Sequence, residues 1–368
     1  MYRKTDKNKP RERNMKNSIG IMRGKALALA LVAGLMAAPA WAQQAFRVVE
    51  GAPPSITVAD FYVAEDAGFL REEGLKLEIN FAGNGAVGTQ IAAAGQADLA
   101  DVTMEPYIAG FDKGMRGKFI AARGNINIYF LAVPKGGAYK SMADLKGKKI
   151  GVVSMGSSAI YYIKSMARTA GLDPQADMFL PVGFGDSAVA AFKANQVQAL
   201  ALNLIAYAGL VRAGLDFDYI YHPTIRDAGN YGYFVSENTL NSKRDQLVGF
   251  TRAMQKADIF IRTNPEAALR IFWKRHPNMK PAGSEEEALR LGKIELTYAP
   301  VGAEGLRPER LSMLDKAALD RMLKGMQEED MFKPGFKVDD LVDTAIFQAA
   351  SAKLDAAAVV KFAREWKN

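Results

Sequence analysis

From Phe46 onward, short runs rich in β-branched and aromatic residues alternate with stretches of helical period, a pattern that predicts an α/β class with largely parallel sheets. Phe46-Arg47-Val48-Val49 reads as a first strand, and Glu50-Gly51-Ala52-Pro53-Pro54-Ser55 as the loop that ends it, because two prolines and a glycine bar regular structure there. A helix is expected over 61–66, stopping at Gly68, where glycine tolerates a left-handed cap. Leu75-Lys76-Leu77-Glu78-Ile79 alternates apolar and polar positions as a half-buried strand does. Gly83-Asn84-Gly85 and Ala97-Asp98-Leu99-Ala100 lead into the next turns, each of which points backbone N–H groups out of the carboxyl edge of a sheet.

The β-rich run 128–133 ends at Pro134, and the alternation restarts at Lys149-Ile150-Gly151-Val152-Val153, which predicts a domain crossing. A helix over 159–169, a strand near 178–181, a helix over 187–193 and strands over 199–202 and 219–221 make up the second unit. Tyr231-Gly232-Tyr233-Phe234-Val235 then carries the chain back, so two crossings form a hinge. The rest is helical: Leu247, Phe250, Met254, Ala257 and Ile261 share one face, and 312–326 and 340–365 are amphipathic.

The first 42 residues change the reading of charge. Arg3, Lys4, Lys7, Lys9, Arg11, Arg13, Lys16, Arg23 and Lys25 precede an apolar run over 26–38 and then Ala40-Trp41-Ala42, the order of a bacterial export signal cleaved after Ala42. The run is about a dozen residues, short of the roughly 20 that span a bilayer. Met15 or Met22 would start a signal of more ordinary length than Met1. The formal charge of +8 belongs largely to this segment: removing it takes nine Lys/Arg and two Asp/Glu, leaving 39 basic and 38 acidic residues. A nearly neutral mature chain offers no field for nucleic acid.

The remaining 326 residues suffice for a large core in two domains. None is Cys, which excludes disulfides, thiolate metal sites and a Cys nucleophile. His222 and His276 are each followed by proline and read as loop residues without a partner for a metal site or triad. Neither a nucleophile elbow nor a phosphate-cradling loop appears, so no enzyme and no cofactor are expected.

Three blocks carry a family resemblance. They are Phe61-Tyr62-Val63-Ala64-Glu65-Asp66-Ala67-Gly68-Phe69-Leu70, then Gly95-Gln96-Ala97-Asp98-Leu99-Ala100, and Met142-Ala143-Asp144-Leu145-Lys146-Gly147 followed by Gly156-Ser157-Ser158. In this order and spacing, over about 46–254, the chain resembles the nitrate/sulfonate/taurine-type solute-binding proteins, whose fold the thiamine-pyrimidine-precursor binders share. The resemblance implies a type II periplasmic-binding-protein fold, two α/β lobes joined by a two-strand hinge, with lobe 1 over 46–132 plus 236–368 and lobe 2 over 133–235. It further implies a periplasmic monomer that delivers a small-molecule solute to an inner-membrane ABC permease and its ATPase. Pyrimidine-precursor binders tend to carry Trp and His where this chain has Ala52 and Val58, which leaves a sulfonate, a carboxylate or a nitrogen heterocycle open as solute. An enzyme or sensor acting on a small heterocycle is the alternative.

The candidate ligand-binding residues lie at the strand-end turns. First turns of helices leave up to about four N–H groups unpaired and partly positive, which suits a carboxylate or sulfonate. Ser154, Ser157 and Ser158, among Gly151 and Gly156, place hydroxyls at such a start, where a serine also serves as an ordinary N-cap. Ser55, Asn84, Gly85, Thr103 and Glu105 are the candidates from the first half. Glu105, ahead of Pro106, also fits a first-turn carboxylate; in a pocket it would ask for a cationic or hydrogen-bond-donating ligand. Asp186, Asn203 and Tyr231 complete the set, although Asp186 reads first as an N-cap and Tyr231, with Tyr233, first as hinge packing.

Overall fold

A computed structural model describes residues 43–367 other than 125–126, 227, 299–313, 329–331 and 334. The expected export signal, its cleavage after Ala42, and positions 312 and 313 of the helix expected over 312–326 lie outside the described residues.

The described strands are β1 (Gln44–Glu50), β2 (Leu75–Phe81), β3 (Leu99–Thr103), β4 (Gly117–Ala122), β5 (Leu131–Pro134), β6 (Ile150–Val152), β7 (Phe179–Pro181), β8 (Ala199–Ala201), β9 (Phe217–Ile220) and β10 (Tyr231–Ser236). They form two sheets of one plan, ordered β2-β1-β3-β10-β4 and β7-β6-β8-β5-β9. The helices that matter for the site are α1 (Ala59–Asp66), α2 (Gly85–Ala93), α3 (Glu105–Phe111), α4 (Ala159–Thr169), α5 (Asp186–Lys193), α6 (Leu204–Arg212) and α7 (Arg244–Thr263). The architecture is thus two α/β lobes, each a mixed sheet wrapped by helices.

Mixed, rather than largely parallel, is a correction with a simple cause. β1, β2 and β3 are parallel, as are β6, β7 and β8, and their carboxyl ends point at the gap between the lobes. A chain that crosses this gap enters its new sheet from the opposite end. β5 therefore runs antiparallel to β8 and β9, and β10 antiparallel to β3 and β4. The same strands shift the expected boundaries. β5 joins the second sheet from Leu131, and Tyr231–Ser236 pair within the first sheet, so the return crossing is over by Tyr231 rather than at 235.

Packing explains the other differences. The run 128–133 is strand only from Leu131; Tyr129 makes a single bridge to Asn203. β4 escapes the alternation rule because it begins with glycine, ends in two alanines and is mostly buried. Helix α6, LIAYAGLVR, is apolar on nearly every side and shows little period to read. The stretch expected as one helix over 340–365 is broken into Val338–Leu341, Thr344–Ser351 and Ala356–Glu365. Asp343 and Asp355 cap the last two, accepting from Ala345 N at 2.8 Å and Ala358 N at 2.9 Å.

Aromatic side chains hold both faces of the first sheet. Phe46 stacks on Phe250 of α7 with ring centres 4.7 Å apart on one face, and Tyr107 of α3 meets Phe234 at 4.9 Å on the other. With helices on either side, the strand ends between the lobes are the part of the sheet left for a ligand.

Candidate functional site

A cavity of about 120 Å³ lies where the two sheets face each other, a size that admits a small molecule and not a folded partner. Its walls are the loops after β1, β2 and β3 on one side and those after β6, β7 and β8 on the other, with Ile128 and Tyr129 from the first crossing and Tyr231 from the start of β10 between them. Gly51 lets the first of these loops sit down: a Cβ there would lie 2.9 Å from Val102 Cγ1 and 3.0 Å from the Cα of Gly85. Backbone meets backbone at that point, bringing the loop after β1 against the start of α2.

Among the sequence-predicted residues, Ser55, Asn84, Gly85, Thr103, Ser154, Ser157, Ser158, Asn203 and Tyr231 line the cavity. Two do not. Asp186 is exposed at the first position of α5, whose N-cap is Gly185, so it neither lines the cavity nor caps the helix. Glu105 is buried behind the wall.

Several lining residues are already engaged with their own helices. Asn84 Oδ1 accepts from Val87 N at 2.9 Å, and Asn203 Oδ1 from Ala206 N at 3.0 Å, so each amide offers a ligand its Nδ2 donors and one remaining lone pair on Oδ1. Ser157 Oγ accepts from Ala159 N at 3.3 Å, and Ser55 Oγ is 2.7 Å from Thr57 Oγ1. These side chains thus engage their own helix starts or loops while also lining the cavity.

The floor holds what sequence reasoning missed. Glu50, at the carboxyl end of β1, lines the cavity with 0 % exposure. Its Oε1 accepts from Ala52 N at 3.0 Å and from the Tyr231 hydroxyl at 3.0 Å. Across the parallel ladder its partner is Asp101, also fully buried. Burial first, and then the adjacent Asp101 carboxylate, push the Glu50 carboxyl well above its usual range; burial likewise raises Asp101, to about 6. A charged residue closing an otherwise apolar strand, ahead of Gly-Ala-Pro-Pro, was the available signal.

Arg123, just past β4, compensates this acidity. Its Nη1 donates to Asp60 of α1 and, at 2.9 Å, to the Tyr233 hydroxyl; Nη2 donates to the Thr57 carbonyl; and Nε lies 3.5 Å from Asp101 Oδ2. One buried guanidinium thus ties the loop after β1, α1 and β3 into a single floor.

Other contacts join the walls. Thr103 Oγ1 and Ser158 Oγ are 3.1 Å apart, and Tyr129 stacks on Tyr162 of α4 at 5.7 Å. Glu105 Oε1 accepts from the Tyr162 hydroxyl and, at 2.8 Å, from Asn230 Nδ2. Burial is the main cause that raises the Glu105 carboxyl and holds the Tyr162 phenol neutral. Glu105 is therefore a brace between the lobes and the return crossing.

Both histidines make hydrogen bonds of their own. His276 Nε2 is 2.9 Å from the Tyr62 hydroxyl, and buried His222 places Nε2 2.8 Å from Ser165 Oγ and accepts from Thr224 N at Nδ1. Among the described residues no group of three or more His, Cys, Asp or Glu could hold a metal. Burial lowers His222 to about 4. Because the unfolded chain binds this proton nearer 6.5, the neutral histidine's contribution is complete above that pH and is lost as pH falls towards 4. Thermal unfolding across pH 7 to 4 should show a slope that His222→Asn reduces.

The family described as NMT1/THI5 like matches residues 55–268. A formylaminopyrimidine-binding protein of Halalkalibacterium halodurans is 26% identical over 293 residues, 76% of this chain and 86% of that one. Two solved structures share the fold. The periplasmic aliphatic sulphonate binding protein SsuA from Escherichia coli has a TM-score of 0.62 at 16% identity, covering 81% of this chain and 97% of its own. The periplasmic nitrate-binding protein NrtA from Synechocystis PCC 6803 has a TM-score of 0.62 at 15% identity, covering 86% and 90%.

Proposed function

The chain belongs to the NMT1/THI5-like family, and we propose that it is the exported, non-catalytic subunit that captures a small polar solute for an ABC-type importer. The observation that carries this reading is the cavity walled by strand ends of both lobes, where one solute reaches both at once. Lobe 1 would comprise the first sheet with α1, α2, α3 and the C-terminal helices, and lobe 2 the second sheet with α4, α5 and α6. Closure about the two crossings completes contacts that the open form lacks, so solute favours the closed state by the free energy of those contacts. The permease and its ATPase would then receive the closed, loaded form at the inner membrane. Among the described residues no helix is long and apolar enough to cross a membrane. Export with cleavage after Ala42 would place the mature protein in the periplasm.

Mass spectrometry of small molecules released from gently purified protein tests the reading, with a single recurrent compound in near-stoichiometric amount as the expected result. Conversion of that compound by the protein would replace solute capture with catalysis. Thr103→Ala and Ser157→Ala, each removing one hydroxyl from the wall, should weaken binding of the released compound by about 2- to 10-fold. Calorimetry that finds both affinities unchanged would take these residues out of the site.

A further inference from the structure

The charge of the solute can be read from the floor of the cleft. Glu50 is the carboxylic acid among the described lining residues, and no Lys, Arg or His stands beside it. Its Oε2 finds no hydrogen-bond partner among the described residues, although the group is fully buried. Neither oxygen of Asp101, its cross-strand neighbour, accepts a hydrogen bond there either. Two such carboxyls side by side cannot both be ionised cheaply, and a proton held between them relieves the repulsion. That proton does the work a cation would do.

An anion entering the cleft meets the opposite situation. One amide at each of three helix starts that would receive it is already taken, by Asn84, Asn203 and Ser157. Arg123 lies on the far side of Asp101, bound to Asp60 and Tyr233, and does not line the cavity. The nearest ionisable group on the wall is an acid.

We propose that Glu50 sets the ligand class: the cleft takes a small organic cation, an ammonium or amidinium whose N–H group meets the Glu50 carboxyl, and discriminates against nitrate and sulfonates. The proposal rests on the solute-capture reading above and assigns to Glu50 the demand that sequence reasoning attached to Glu105. Binding of the cation displaces the proton held between Glu50 and Asp101, so up to one proton is released for each ligand bound. The groups facing Glu50 are Asp101 on β3 and Tyr231 on β10, with Arg123 and Asp60 behind Asp101. Of these, Asp101 is the one raised to about 6, so release persists at neutral pH only from the Glu50 side of the pair.

The experiment is calorimetric titration of the full chain with four probes: benzamidinium, benzylammonium, benzenesulfonate and nitrate. The cations are expected to bind about 10- to 100-fold more tightly than the anions, the range a charge-assisted hydrogen bond supplies. Repeating the benzamidinium titration in buffers of different ionisation enthalpy should reveal proton release in the wild type and none in Glu50→Gln, which should also bind the cations more weakly. The wild-type proton count stands even if the variant does not fold. Anions binding as tightly as cations, binding of none of the probes, or cation binding without proton release would each overturn the assignment. Tight sulfonate or nitrate binding would do so while leaving solute capture intact, and the compound released from purified protein judges that reading separately.

Discussion

Arg123→Met is expected to lower folding stability by about 3–5 kcal/mol, the range for removing one partner of a buried ion pair. The Arg123 side chain is 2 % exposed and its guanidinium faces two buried carboxylates, Asp60 and Asp101. Taking it away strands their charge in a medium that cannot solvate it. Methionine restores part of the packing against the Phe61 and Tyr233 rings, over which the guanidinium lies at 5.3 and 5.7 Å, so what remains is mainly electrostatic. Two features of a denaturation series check this. The loss should shrink as pH falls from 7 to 5, because protonating the stranded carboxyls removes the cost. Arg123→Lys should recover only part of it, since an ammonium cannot span Thr57, Asp60 and Asp101 in one plane. A loss independent of pH would point to packing instead.

Glu105→Ala is expected to cost about 2–6 kcal/mol, from two stranded donors, and to loosen the two lobes. The tyrosine hydroxyl of Tyr162 and the amide of Asn230 both donate to this carboxylate inside the protein. Each left without an acceptor costs about 1–3 kcal/mol. Because Tyr162 belongs to α4 of the second lobe and Asn230 to the return crossing, the same change removes a brace between the halves. Small-angle scattering of the ligand-free variant should therefore show a larger radius of gyration. Glu105→Gln keeps an acceptor oxygen and should retain most of the stability. If Gln and Ala are equally damaging, it is the charge and not the acceptor that holds the brace.

Local chemistry made much of the site legible. Glycine-containing turns after strands, serines before a helix and an aromatic at the return crossing are features of neighbouring residues, and Asn84, Thr103, Ser157, Asn203 and Tyr231 do line the cavity. Glu50 stayed hidden because its importance depends on Asp101, some fifty positions away, lying beside it in the parallel ladder. Asp186 shows the converse: a plausible position in sequence that the turn of Gly183-Phe184-Gly185 leaves exposed to solvent.

Order along the chain determined by itself the α/β class and the turns that end its strands, because period and turn residues act over a few positions, while the two-lobe plan came with the family resemblance. Only the tertiary structure decided which acid lines the cavity, which is buried behind its wall, and which cation balances them. Those outcomes turn on burial and on contacts between distant strands, and desolvation, which governs the charge state of Glu50, Asp101 and Glu105, exists only once the sheets have closed around them.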